Sequence, residues 1–217
     1  MKVLAINGSP RKKGNTATLL GHALDGARSK GAATELVHLY SLDFKGCISC
    51  FECKKIGGKS YGRCAVKDGL APVLEKVLEA DALVVGSPVY FGGESGETRS
   101  FLERLLFPYV TYTPDYACIF PKKIPTALCF TMNVGEERLR AAGYDAMMGK
   151  TRGLLERVFG SCELFYATDT WQFDDYSKYL STAWDPVSKA KRRKEVFPVD
   201  CAKASALGER LVQPVTA

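Results

Sequence analysis

The sequence predicts one α/β domain with an open, doubly wound sheet of five parallel strands. Two observations predict it. Short apolar runs alternate along residues 1–168 with longer segments whose apolar residues recur at helical spacing, as is typical of a parallel sheet covered by helices on both faces. Glycine-rich polar loops follow the first and third apolar runs, where sheets of this class bind their ligands.

Five apolar runs are the predicted strands: KVLAIN (2–7), TELVHLY (34–40), ALVVGS (82–87), IPTALCFT (124–131) and CELFYAT (162–168). The predicted helices run from Thr16 to an end at Gly31, from about Leu70, through TRSFLERLLF (98–107), and around 144–159. The natural strand order is the flavodoxin-like 2-1-3-4-5. In that order the loops at 8–15, 87–95 and 131–136 meet at one edge of the sheet, which predicts a ligand site there.

Residues 1–168 are predicted to form this domain, with a cysteine-rich loop at 44–67. Long loops inside compact domains are usually functional. Residues 169–217 are predicted to be a C-terminal extension with an aromatic and acidic stretch, a basic run and a last amphipathic helix. We expect the extension to pack on its own domain or on a partner subunit, and the sequence favours neither.

Composition narrows the functional classes. Hydrophobic residues make up 46% of the 217, and no run of about 18 apolar residues exists, so no membrane segment is predicted. The apolar part of the N-terminus is too short for a secretory signal, and we expect a cytoplasmic protein. The net charge of +6 does not by itself indicate nucleic-acid binding. The basic run KAKRRK (189–194) is expected to be a solvated helix face rather than a contact for nucleic acid or an acidic electron carrier.

The stretch GSPRKKGNT (8–16) follows the first strand and opens a helix, a position where backbone N–H groups and the helix dipole favour an anion. Ser9, Asn15 and Thr16 add neutral donors, and Arg11 adds a forked cation. The glycine spacing fits neither a Walker loop nor the dinucleotide fingerprint, which needs glycine where Pro10 stands. The ligand class that remains is a phosphate monoester, which on a flavodoxin-type sheet indicates FMN. The alternative is a polar turn in which Asn15 only caps the helix.

The stretch GSPVYFGG (86–93) follows the third strand, where a flavin ring would lie. Tyr90 and Phe91 can stack on such a ring or enclose it, and backbone groups from Val89 to Gly93 can bind its polar edge. The alternative places both aromatic rings in the core, which is commoner for aromatic residues in general. A position between a proline and a double glycine favours the flavin interpretation.

Together these two stretches resemble the NAD(P)H-dependent FMN reductases of the flavodoxin-like superfamily, over roughly residues 1–168. GCISCFEC (46–53), followed by Cys64, resembles their iron–sulfur flavoprotein branch. The resemblance implies bound FMN, NAD(P)H as an electron donor, and a homodimer or tetramer with FMN near a subunit interface. The implied FMN contacts are Ser9, Arg11, Lys13, Gly14, Asn15 and Thr16 at the phosphate, Pro88, Val89, Tyr90, Phe91 and Gly92 at the ring, and Thr131 and Asn133 in the third loop.

Cys47, Cys50 and Cys53 are spaced C-x2-C-x2-C, which is typical of cysteines around one 4Fe-4S cluster. Cys64 is the predicted fourth ligand, although ten residues separate it from Cys53, more than is usual in this branch. Free or redox-active thiols and a zinc site are the alternatives. Of the remaining cysteines, Cys129 and Cys162 lie in apolar strands and are predicted to be small core residues.

The sequence therefore predicts an FMN-dependent oxidoreductase that passes electrons between FMN and a 4Fe-4S cluster. One alternative is a cluster-free NAD(P)H-dependent FMN or quinone reductase, and another is an FMN-binding electron carrier or redox sensor without turnover. The flavin carries the chemistry, and no side chain is predicted to act as acid or base. We expect a ferredoxin-like electron carrier or a small acceptor such as a quinone as partner, and neither nucleic acid nor a membrane.

Overall fold

A computed structural model describes residues 1–213 of the chain. Five parallel strands form the central sheet, and a sixth, two-residue strand pairs antiparallel with the third. The strands are β1 (Lys2–Asn7), β2 (Ala33–His38), β3 (Ala82–Tyr90), β4 (Gly93–Glu94), β5 (Ile124–Thr131) and β6 (Gly160–Ala167). The order β2-β1-β3-β5-β6 confirms the predicted order 2-1-3-4-5 of the five parallel strands.

Seven α-helices accompany the sheet in the described residues. They are α1 (Asn15–Ser29), α2 (Ala71–Glu79), α3 (Gly96–Leu106), α4 (Glu136–Ala141), α5 (Tyr144–Phe159), α6 (Pro186–Glu195) and α7 (Phe197–Leu211). Apolar residues of α2, α3 and α5 pack on one face of the sheet. Those of α1 and α7 pack on the other, so both faces are covered, as the fold class requires.

Helix α7 packs closely against α1. A Cβ atom added at Gly208 would lie 1.7 Å from the carbonyl oxygen of Ala23, and one added at Gly26 would lie 1.9 Å from that of Ser205. The two backbones therefore approach each other through glycines. Phe197 and Leu211, at the two ends of α7, are buried in the core beneath α1, so this helix of the C-terminal segment packs on its own chain.

The basic run lies on α6, but it is only partly a solvated face, and that part of the prediction is wrong. The Lys189 side chain is 3% exposed and pairs with Asp169, and Lys189 Nζ also donates to the carbonyl oxygen of Asn133 at 2.7 Å. Arg192 pairs with Asp200, also buried, at 2.7 Å. Ion pairs with the segment after β6 and with α7 draw these cations inward, which a count of charges along the sequence does not reveal.

None of the helices within residues 1–213 has both the length and the apolar character needed to cross a membrane.

Candidate functional site

The first loop (residues 8–14) begins where buried β1 ends. Asn7 is fully buried, and its Oδ1 accepts a hydrogen bond from the Ser9 N–H at 3.0 Å. Its Nδ2 lies 2.8 Å from Nδ1 of His38, at the end of the neighbouring strand β2. Because Oδ1 accepts from Ser9, Nδ2 is the donor and His38 Nδ1 the acceptor. Burial and then the charge of Lys12 lower the pKa of His38, which favours the neutral ring that can accept this bond.

Gly8 holds the first loop against β3 and α3. The Gly8 N–H donates to the carbonyl oxygen of Gly86 at 2.8 Å, and the Gly8 carbonyl oxygen accepts a hydrogen bond from Ser95 Oγ at 2.6 Å. A Cβ atom at this position would lie 1.7 Å from Thr98 Oγ1. Only glycine fits there, and the loop is consequently fixed between two other elements.

Helix α1 starts at Asn15, and its N-cap is Gly14, which offers no side-chain acceptor to the first turn. The alternative that Asn15 merely caps the helix is therefore wrong. Asn15 Nδ2 instead donates to the carbonyl oxygen of Trp171 at 2.8 Å. Uncapped N–H groups and the positive end of the helix dipole make this end of α1 suited to an anion.

The stretch after β3 forms a hairpin rather than an open loop. Phe91 and Gly92 occupy its turn with φ angles of 50° and 86°, between paired Tyr90 and Gly93. Positive φ at both turn positions is the type I′ pattern that matches strand twist. Phe91 is fully exposed and Tyr90 is 47% exposed, so neither ring belongs to the core. The alternative of two core aromatics is wrong.

These loops surround a cleft of about 650 Å³ at the carboxyl ends of β1, β3 and β5, within the size range of ligand sites. Eleven of the thirteen predicted FMN contacts line it: Ser9, Arg11, Lys13, Gly14, Asn15, Thr16, Pro88, Val89, Tyr90, Thr131 and Asn133. Phe91 and Gly92 do not line it. Thr16 Oγ1 and Thr131 Oγ1 lie 2.8 Å apart, which joins the start of α1 to the end of β5.

Apart from Met132, which lies in the predicted loop at 131–136, the second wall of the cleft comes from sequence that the prediction did not include. It consists of Met132, Thr170, Trp171, Gln172, Phe173, Asp174, Tyr179 and Arg193. Phe173 stacks on Tyr179 with centroids 4.1 Å apart, and Trp171 and Phe173 each contact Tyr176 edge-on. A usable signal existed for residues 170–179, because they follow β6, whose carboxyl end lies beside that of β5. We define residues 170–179 as the aromatic wall.

Asn133 has a buried oxygen that no donor satisfies. Its Nδ2 donates to Gln172 Oε1 at 2.6 Å, while its Oδ1 is one of two buried side-chain nitrogen or oxygen atoms in residues 1–213 without a hydrogen-bond partner. Leaving a buried acceptor unpaired costs about 1–3 kcal/mol. An acceptor of this kind in the wall of a cleft suits a ligand that carries an N–H or O–H group.

The cysteine-rich loop brings its four cysteines to one place. Cys47, Cys50, Cys53 and Cys64 all line one small hollow beside α3, together with Phe51 and Phe107. All four are free thiols, and burial raises the pKa of Cys53. Ser49 and Phe51 have φ angles of 54° and 57°, so the backbone between the cysteines turns through a conformation that is strained for such residues.

Across residues 1–213, no three His, Cys, Asp or Glu side chains are arranged to hold a metal ion. A single metal ion needs ligand atoms that lie close together. A 4Fe-4S cluster is larger, and its four thiolates stand around the whole cubane. The donor set of four thiols on one hollow fits such a cluster chemically.

Arg104 organises this loop from α3. Its side chain is 1% exposed and forms an ion pair with both oxygens of Asp68. Arg104 Nε donates to Cys64 Sγ at 3.3 Å, and its two terminal nitrogens donate to the carbonyl oxygens of Lys45 and Val66 at 3.0 and 3.2 Å. Burial alone would raise the pKa of Asp68, but the bonds from Arg104 and from the Leu70 N–H lower it. One buried side chain thus fixes both ends of the cysteine-rich loop.

Two other cysteines are confirmed as core residues. Cys129 is 2% exposed and Cys162 is 7% exposed. Burial raises the pKa of their thiols to about 12 and about 11. At such values both stay protonated at neutral pH and are poor nucleophiles.

Two proteins named iron-sulfur flavoprotein are similar to this chain over 104 residues: one from Methanocaldococcus jannaschii is 39% identical and one from Archaeoglobus fulgidus is 41% identical. The matched segment is 48% of this chain and 51% and 48% of those proteins. The chain therefore spans about half the length of the curated relatives it matches.

The whole fold is similar to the solved structure of an NAD(P)H:quinone oxidoreductase from Methanothermobacter marburgensis, with a TM-score of 0.67, 16% identity and 98% of each chain covered. At this identity the similarity concerns the fold alone, and it confirms the flavodoxin-like class. Residues 1–116 match the family of NADPH-dependent FMN reductases, a shorter span than the predicted 1–168. Since this match covers more than half of the sequence and includes both loops that carried the resemblance, the chain belongs to the NADPH-dependent FMN reductase family.

Proposed function

We propose that this protein is an FMN-dependent oxidoreductase that transfers electrons between FMN and a 4Fe-4S cluster. The observation that carries the proposal is the cleft at the carboxyl ends of β1, β3 and β5, where the two predicted loops meet. The iron–sulfur part rests on the four cysteines that line one hollow and on the names of the relatives.

The residues of the cleft suit FMN. The uncapped start of α1, with Arg11 and Lys13 beside it, offers donors and positive charge to a phosphate. The unsatisfied Oδ1 of Asn133 offers an acceptor to an N–H or hydroxyl group of the same ligand. Apolar and aromatic groups, including Val89 and Tyr90, line the part of the cleft where a ring would lie. The arrangement is polar at one end and apolar at the other, as FMN is.

Bound FMN would supply hydride and single-electron chemistry, with NAD(P)H as the proposed donor. The side chains of this chain would bind and orient the cofactor. The aromatic wall would limit the access of water to it. No side chain of the cleft needs to move a proton for this to occur.

Cys47, Cys50, Cys53 and Cys64 would hold the cluster, which supplies one-electron transfer. Arg104 would orient Cys64 through its hydrogen bond to Sγ. Phe51 and Phe107, with ring centroids 5.9 Å apart, would shield the hollow from water. A quinone-like small molecule or a ferredoxin-like protein is the proposed acceptor, and a homodimer is the proposed assembly.

The test is anaerobic purification followed by a visible spectrum and assays of flavin, iron and acid-labile sulfide per chain. We expect one FMN with about four irons and four sulfides. Cys50→Ser should lower the iron content and leave FMN bound. Cys118→Ser is the control, because Cys118 lies outside the hollow, and it should retain both.

The alternatives give different results. FMN without iron after anaerobic reconstitution would refute the cluster, and NAD(P)H oxidation with quinone or free FMN would then identify a cluster-free reductase. FMN bound without any such turnover would identify an electron carrier or sensor. If the protein bound no FMN at all, the proposal as a whole would be wrong.

A further inference from the structure

Arg193 reaches the candidate phosphate end of the cleft from the C-terminal part of the chain. It lies on α6, and its Nη1 donates to Asn15 Oδ1, in the first turn of α1, at 2.9 Å. The central carbon of its guanidinium lies 4.1 Å from the centre of the Phe197 ring. Phe197 is itself 4% exposed, so this long side chain rests on a fixed support.

Among the described residues, no carboxylate pairs with Arg193, in contrast to its neighbours on α6. Lys189 pairs with Asp169 and Arg192 with Asp200. No salt bridge in residues 1–213 includes Arg193. A guanidinium has five N–H donors in a planar fork, and Asn15 takes one of them. The others are available to an anion that enters the cleft.

The surroundings select a phosphate monoester as that anion. Arg11 and Lys13 line the same cleft from the first loop, and Asp174 is the single carboxylate among the lining residues. The first loop and the start of α1 would bind a phosphate from one side. Arg193 contacts the same first turn of α1 from α6. A phosphate between the first loop and Arg193 would therefore be held from two sides.

We propose that Arg193 is a second arginine ligand of the FMN phosphate, supplied by α6. The inference rests on the proposed function, because it requires FMN in the cleft. It adds a binding residue from outside residues 1–116, the part of the chain that matches the family. It also gives a role to a basic run that the sequence alone predicts to be a solvated face.

The test compares the affinity of flavin-free, full-length protein for FMN and for riboflavin, which lacks the phosphate. Fluorescence titration of each flavin gives both dissociation constants. Arg193→Gln should weaken FMN binding about tenfold or more, the effect of losing one charge-assisted hydrogen bond. It should leave riboflavin binding unchanged. Arg193→Lys should be intermediate, because a lysine keeps the charge and loses the fork.

Lys194→Gln is the matched control. Lys194 is the next residue on α6, is exposed and does not line the cleft, so this variant removes the same charge without touching the site. It should bind both flavins like the unmodified protein. Thermal unfolding of each flavin-free variant checks that α6 remains folded.

The outcomes separate the inference from the function on which it rests. A loss confined to FMN in Arg193→Gln supports the inference. Equal FMN affinity in Arg193→Gln and Lys194→Gln overturns it, as does an equal loss for both flavins, which would indicate a structural role. If the unmodified protein binds neither flavin, the proposed function itself fails.

Discussion

Replacing Arg104 by methionine should destabilise the protein, because this buried side chain holds several groups of the cysteine-rich loop. The side chain is 1% exposed and donates to five acceptor atoms, all of them in residues 45–68. Methionine keeps much of the apolar stem but supplies none of these hydrogen bonds. The variant leaves the Asp68 carboxylate and the carbonyl oxygens of Lys45 and Val66 without their donor.

The magnitude follows from the burial of the two partners. Removing one member of a buried ion pair costs about 3–5 kcal/mol, because an uncompensated charge remains. Asp68 keeps 19% of its side-chain surface exposed, so water can replace part of the lost interaction. We therefore expect Arg104→Met to lower the free energy of unfolding by about 3 kcal/mol, the lower end of that range. Adding Asp68→Asn removes the stranded charge and keeps an acceptor for the Leu70 N–H, so the double variant should recover about 1–2 kcal/mol.

Urea unfolding followed by circular dichroism gives the free energies, and the two single variants with the double variant form a cycle. Arg63→Met is the control. Arg63 pairs with Glu75 at 2.9 Å, but both side chains are more than half exposed, so its loss should cost at most about 1 kcal/mol. Hydrogen exchange should locate the Arg104→Met effect in residues 45–68. A cost below about 1 kcal/mol for Arg104→Met, or no recovery in the double variant, would refute this account.

Two further predictions concern the α1–α7 contact and the first loop. Gly208→Ala should destabilise the protein by about 1–3 kcal/mol, because the added Cβ would lie 1.7 Å from a backbone oxygen of α1. Gly21→Ala is the control and should stabilise the protein slightly, because a Cβ atom there meets nothing within 4 Å in the described residues. Denaturant unfolding of both variants measures the two effects. Burial lowers the pKa of His38 below its usual 6.5, so the neutral ring is the form that the fold stabilises. That contribution should be complete above about pH 6.5 and be lost as pH falls through the lower pKa of the folded protein. An NMR titration that finds the pKa of His38 at or above 6.5 would contradict this prediction.

The sequence predicts the sheet well, because buried parallel strands need continuous apolar runs that stand out from their surroundings. The fourth run, IPTALCFT, has the bounds of β5, Ile124–Thr131. Helix α4 was not predicted, since six residues with a single buried side chain, Leu139, show no periodicity. The Phe91–Gly92 turn was not predicted either, because phenylalanine is an unusual residue at positive φ and only the pairing of β3 with β4 requires it.

In the candidate site, too, the sequence reveals some of the residues and not others. The first loop is a local motif, and its residues act within a few positions of one another, so the sequence displays them. The aromatic wall and Arg193 reach the cleft from more than 150 residues further along the chain. Their position depends on β6 lying beside β5 and on α6 returning across the cleft. The local pattern near Trp171 and Arg193 does not encode that route. Only the predicted strand order, which puts the fifth parallel strand beside the fourth, indicates that the residues after β6 reach this edge of the sheet.

Helix α3 connects the two candidate centres. At its start, Ser95 Oγ donates to the carbonyl oxygen of Gly8 in the first loop. Near its end, Arg104 donates to Cys64 in the cysteine-rich loop. Arg104 lies nine positions after Ser95, which corresponds to about 14 Å along the helix axis at 1.5 Å per residue. A helix of this length is rigid, so the long gap between Cys53 and Cys64 can be accommodated in the loop without changing the separation of the two anchor points. The spacing of the centres would then be a property of the fold, and the length of the loop would be free to vary.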